Sequence, residues 1–192
     1  TSSVRQSLKL SMPSLKMIGL AVALPLVLHP LAIELLSSLH RFFPQLPESA
    51  SRAMAVMQTD DLPLWVILGA FALTPAICEE VAFRGFILTG FSRGGRYGVA
   101  IVLSSVMFGI IHMIPQQVFN ATLIGLVLGL LAVRSRSLLT GVIFHFCFNG
   151  LAVMHSRVSS QLAQSSPDWL DSDATRWFLA IQNDTLRYNF LT

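Results

Sequence analysis

Two carboxylates and a guanidinium lie inside one of the most apolar stretches of this chain. Cys78-Glu79-Glu80-Val81-Ala82-Phe83-Arg84-Gly85 follows, without a break in hydrophobic register, from the apolar run that begins at Leu62. A run of that length suits a membrane span, which takes about 20 residues. Ionisable groups at membrane depth are costly, face the protein interior and are functional candidates by default. The rest of the chain fits the same reading: only 12% of the 192 residues are charged and 53% are hydrophobic, and mean hydropathy is +0.64. A soluble domain carries about 25% charged residues. The expected fold class is therefore all-α, a polytopic membrane helical bundle of about five transmembrane helices.

Taken in order, residues 1–14 form a basic lead-in with Arg5 and Lys9, and Leu15 to Leu36 reads as a first span interrupted by Pro25, His29, Pro30 and Glu34. An interior proline removes a backbone hydrogen bond, so a kink is expected there. His29 and Glu34 lie toward the far end of that span and read as structural or gating residues. A connection follows in which Ser49 to Met57 suits a short surface helix. Further spans are expected at Leu62 to Gly90, Val99 to Ile114, Val118 to Val133 and Leu138 to His155. Gly125 and Gly129 give the fourth a small-xxx-small pattern, which lets helices approach closely. The expected organisation is a membrane-embedded domain over 15–155 and a polar tail over 156–192. Within that tail the piece from Asp173 to Tyr188, with Trp177, Phe178 and Ile181, suits an interfacial helix. The first residue, Thr1, reads as the start of a domain cut from a longer chain.

Charge orients the bundle. Arg5, Lys9, Lys16, Arg93, Arg96, Arg134 and Arg136 fall together on one side with no acid among them. The other side dilutes its arginines with Glu48, Asp60, Asp61, Asp168, Asp171, Asp173 and Asp184. Five spans with a cytoplasmic amino terminus satisfy the positive-inside rule, as in a bacterial inner membrane. The formal net charge of +3 comes from residues scattered singly at helix ends, which argues against a nucleic-acid partner. Cys78 and Cys147 sit in apolar runs and read as small buried hydrophobes rather than as a disulfide or a metal site.

Apart from Glu79, Glu80 and Arg84, the spans contain Phe108-Gly-Ile-Ile-His112 near the end of the third and His145-Phe-Cys-Phe-Asn149 in the middle of the fifth. At about 1.5 Å per residue, Glu79, His112, His145 and Asn149 lie roughly 16, 21, 10 and 16 Å from one face of the membrane. Three helices thus bring hydrophilic groups to one layer. Residues four apart share a helix face, so Glu80 pairs with Arg84, Phe108 with His112, and His145 with Asn149. Glu79 and Glu80 point about 100° apart. Carboxylates, imidazoles and a carboxamide without an activated serine suit general-base activation of water and stabilisation of an oxyanion. Arg84 would hold Glu80 ionised and oriented.

These three motifs, Glu79-Glu80-x-x-x-Arg84, Phe108-x-x-x-His112 and His145-x-x-x-Asn149, resemble those of the CPBP intramembrane proteases, the family of the CAAX prenyl endopeptidase Rce1 and of the Abi proteins. The resemblance covers about Pro75 to Gly150. It implies a glutamate-dependent endopeptidase with no metal and no other cofactor, acting on a membrane-associated peptide or protein. By position, Glu79 is the base that activates water with help from His112, His145 and Asn149 form the oxyanion site, and Glu80 is required. Arg84 and Phe108 support. Family members often have more spans and some are fused to permease segments, so a helical partner, fused or separate, is expected to complete the domain.

Two other readings use the same residues. Glu79, Glu80, His112 and His145 would make a four-ligand zinc set, although the sequence lacks a His-Glu-x-x-His helix. A permease segment or interaction scaffold would use the Glu80–Arg84 pair only to lock helices. A thiol peptidase is disfavoured, because Cys147 lies two residues from His145 and faces elsewhere on the helix.

Overall fold

The chain enters its first helix at Ser14, whose extended backbone and hydroxyl cap the helix by accepting a hydrogen bond from the Met17 N–H at 3.4 Å. This is the computed structural model of the protein, and it describes residues 11–43, 46–92, 94–165, 179–182 and 185–188. Helix α1 runs over Leu15–His40 and buries Ala21, Pro25, His29 and Ala32. Their spacing of four, four and three places them on one face. Both prolines sit inside the helix without ending it. Helix α2, Glu48–Gln58, is the short surface helix expected there.

Helix α3, Leu64–Phe91, contains two π-helical stretches, Gly69–Leu73 and Val81–Leu88. Each wide turn is fastened by a threonine hydroxyl that donates to a carbonyl five residues back, Thr74 to Gly69 at 2.8 Å and Thr89 to Arg84 at 3.1 Å. Such bulges concentrate at functional sites, and the second begins directly after Glu80. Helix α4, Tyr97–Ile110, is followed by α5, Pro115–Ser135, and α6, Leu138–Ser165.

Four of these helices, α1, α3, α5 and α6, are long and apolar enough to cross a membrane. Helix α4 has 14 residues and is the shorter apolar member of the bundle. It ends four residues before the expected boundary at Ile114. The residue preceding a proline is driven out of the helical region, and Ile114 before Pro115 is extended, with φ −100° and ψ 118°. Met113 takes a left-handed φ of 59°. His112 therefore stands in the turn after α4 rather than within the helix.

Helices α4 and α5 pack most closely, and the glycines explain why. A Cβ on Gly129 would come within 2.9 Å of Ile101 Cγ2, one on Gly125 within 3.1 Å of the Ser105 backbone, and one on Gly109 within 2.6 Å of the Val118 carbonyl. Ser105 faces the same seam, and the buried hydroxyls of Ser104 and Ser105 are satisfied on the Ile101 carbonyl. A second core, formed by Ala21, Ala32, Ile124, Leu128, Leu131, Phe144 and Phe148, joins α1, α5 and α6.

The two ends of the bundle are tied separately. Ser11 donates to the Arg136 carbonyl at 3.0 Å, and Ser137 donates to the Ser11 carbonyl. The start of α1 therefore shares an end with the α5–α6 turn and its arginines. At the other end Asp60 accepts from Arg157 at 2.6 Å and from Gln161 at 3.3 Å.

Three expectations need correction. Residues 156–165 continue α6 instead of starting a polar tail, because Asp60 and the hairpin described next give its polar groups tertiary partners. Leu179–Gln182 and Thr185–Tyr188 form an antiparallel hairpin, β1–β2, where an interfacial helix was expected; 173–178 lie outside the described residues. Backbone groups of Leu186 bond to α6, its N–H to Ser159 Oγ at 3.2 Å and its carbonyl to His155 Nε2 at 2.8 Å, which anchors the hairpin. Finally, Cys78 is exposed on α3 and Cys147 is half-buried, so neither is a core hydrophobe.

Candidate active site

On α3, the i, i+4 spacing of Glu80 and Arg84 becomes a contact: Arg84 Nη1 donates to Glu80 Oε1 at 2.7 Å. Both side chains are enclosed, at 1% and 0% exposure. A buried ion pair persists only if further hydrogen bonds satisfy its groups. Arg84 Nη2 supplies one by donating to the Gly125 carbonyl of α5 at 3.0 Å. The guanidinium carbon also lies 4.6 Å over the Phe108 ring, a distance at which a cation is drawn to an aromatic face. Arg84 thus links α3 to both helices of the glycine-rich seam.

His145, projecting from α6, stands between the two carboxylates. Its Nδ1 is 3.3 Å from Glu80 Oε1 and its Nε2 is 3.7 Å from Glu79 Oε2. Because a carboxylate only accepts, the Glu80 contact places a proton on Nδ1 and directs Nε2 toward Glu79. Glu79 differs from its neighbour in exposure: 27% of its side chain is accessible and none of Glu80's is. The 100° between adjacent helical residues turns one acid inward and leaves the other at an edge.

Phe108 is the hub beneath these groups. Its ring is edge-on to Phe83, His112 and His145, with centroids 5.1, 5.1 and 5.8 Å away. His112 also donates Nδ1–H to the Phe108 carbonyl at 2.9 Å. That carbonyl can only accept, so neutral His112 keeps Nε2 as a free acceptor.

The structure thus joins Glu79, Glu80, Arg84, Phe108 and His145 in one contact network, with His112 attached through Phe108. Asn149 is half-buried one turn beyond His145 on α6. Among the described residues no ring nitrogen of His112 reaches ion-pair distance of either acid. Likewise no three His, Cys, Asp or Glu side chains among them are grouped to hold a metal ion. Sequence reasoning missed the Gly125 carbonyl as a partner of Arg84. A backbone acceptor on another helix has no side-chain signature.

A helical bundle with four helices long and apolar enough to cross a membrane, and with Glu80, Arg84 and His145 enclosed among them, defines an integral membrane protein. Residues 61–151, which carry the centre, match the family described as type II CAAX prenyl endopeptidase Rce1-like. That segment is similar to the CPBP, or CAAX protease, family, and the likeness supports a protease at family level. No curated protein and no solved structure matches the chain.

Proposed function

We propose that the protein is an intramembrane endopeptidase that hydrolyses a peptide bond of a membrane-associated protein or peptide with water activated by Glu79. The observation that carries this reading is the contrast between two adjacent acids on one imidazole. Glu80 is enclosed and committed to Arg84 and His145, whereas Glu79 faces the same ring from an accessible edge. An enclosed carboxylate sets geometry; an accessible one can meet water and substrate.

In the proposed reaction Glu79 removes a proton from water while the oxygen attacks the scissile carbonyl carbon. His112 assists as the acceptor its Nδ1–H bond leaves free. The tetrahedral oxyanion receives N–H groups from Asn149 and from His145. Glu79 then returns the proton to the nitrogen leaving group as the C–N bond breaks. No step calls on a metal ion. The protein is proposed to sit in a bacterial inner membrane with its amino terminus cytoplasmic, because Arg134 and Arg136 stand at the end of the bundle where Ser11 meets the α5–α6 turn. A fused or separate helical partner is proposed to complete the bundle beside the short α4.

The test uses purified protein in lipid vesicles and internally quenched peptides ending in a CAAX sequence, with and without a prenyl group. Cleavage by the wild type, reduced by about 10²–10⁴-fold in Glu79→Gln at unchanged folding, is the expected result. Turnover retained in Glu79→Gln would remove the assignment of the base. Loss of activity in chelator, restored by zinc, would favour a metallopeptidase. To find natural substrates, membrane peptides that accumulate in cells carrying Glu79→Gln would be identified by mass spectrometry.

A further inference from the structure

Gly141 lies on α6 one turn before His145 and two turns before Asn149, on the same helix face. None of the three motifs includes it. A Cβ built at Gly141 would stand 2.4 Å from Glu80 Oε2 and 3.2 Å from Glu80 Cδ. The far end of a flexible side chain usually yields to such a clash, but this one is fixed. Its other oxygen, Oε1, is held by Arg84 at 2.7 Å and lies 3.3 Å from His145 Nδ1, and the whole side chain is buried. Arg84 is fixed in turn by the Gly125 carbonyl and the Phe108 ring. The carboxylate is therefore clamped from α3 while Oε2 rests on the bare backbone of α6.

We infer that Gly141 is a positioning residue of the catalytic site: its missing side chain is the seat of the Glu80 carboxylate, and it sets how closely α6 brings His145 to both acids. Any side chain at 141 pushes Glu80 off its seat or α6 away from α3. Either movement opens the 3.3 Å and 3.7 Å contacts of His145. Gly150 on the same helix is the contrast, since a Cβ there would meet only Leu68 Cδ2 at 3.9 Å, an ordinary contact. The inference rests on the proteolytic reading for its catalytic consequence and on packing alone for its structural one.

The two parts are tested separately. In thermal unfolding of the purified full chain, Gly141→Ala is expected to lower the midpoint by about 4–8 °C, as overpacking does. In the Glu80→Asp background, where the shorter acid vacates the seat, the same substitution should lower it by less than half as much. An equal penalty in both backgrounds would overturn the seat. Should Gly141→Ala alone fail to fold, recovery of folded protein in the double variant supports the inference and failure to recover overturns it. On the quenched prenylated CAAX peptide, Gly141→Ala should reduce kcat about 100-fold with KM within about twofold, as for lost transition-state geometry. Gly150→Ala should leave both unchanged. A fall confined to KM, or an unchanged kcat, would overturn the positioning role. A wild type inactive on that peptide would count against the proposed activity, and the unfolding cycle would still decide the seat.

Discussion

Glu79 and Glu80, neighbours in the chain, present their carboxylates to opposite nitrogens of one imidazole, His145, and only Glu80 is shut away from the surroundings. This relationship separates an enclosed acid from an accessible one without any difference in residue type.

Glu79→Gln should therefore leave folding intact. The side chain is partly accessible and makes no contact with Arg84 among the described ion pairs, so its amide is tolerated. Cleavage should fall by about 10²–10⁴-fold, the usual worth of a general base. Parallel measurement of turnover and of the unfolding midpoint checks both halves.

Arg84→Ala should act in the opposite order. It leaves Glu80 enclosed without its cation, and removing one partner of a buried pair costs about 3–5 kcal/mol. The variant should show a marked loss of folded yield and thermal stability. Arg84→Lys should restore only part of it, because a lysine lacks the fork that reaches Glu80 and the Gly125 carbonyl together.

At the helix seam, Gly109→Ala should destabilise the fold by about 1–3 kcal/mol. Its Cβ would collide with both Thr122 Oγ1 and the Val118 carbonyl. Adding Thr122→Ala removes the first obstacle and not the second, so the double variant should recover only in part. Full recovery in equilibrium unfolding would contradict the α4–α5 spacing.

Asn149→Ala should reduce kcat by about 10²–10³-fold, as loss of one oxyanion donor does, while the half-buried site tolerates the smaller side chain. Unaltered kcat would place the oxyanion elsewhere.

Much of this was legible in the chain. The apolar runs gave the helices of the bundle, and the Glu80–Arg84 spacing correctly foretold their ion pair, because i, i+4 geometry is local. Gly125 and Gly129 marked a close helix contact, and the structure supplies their partners, Ser105 and Ile101. The hairpin at Leu179–Gln182 and Thr185–Tyr188 was missed, since its strand pairing is sealed by bonds to His155 and Ser159 far back in the chain. The extension of α6 through Ser165 was missed for the same reason. Its polar residues looked like tail until Asp60 and Leu186 were there to meet them.

What the sequence by itself determined is whatever depends on neighbours within a few turns: which segments are apolar enough to leave water, and which polar groups share a helix face. What only the tertiary structure decided is how those faces meet. His145 could have addressed either acid, and Gly141 is an unremarked helical glycine until the Glu80 carboxylate is found resting on it. Distances between helices are set by side-chain volumes summed across the whole seam, so no local stretch encodes them.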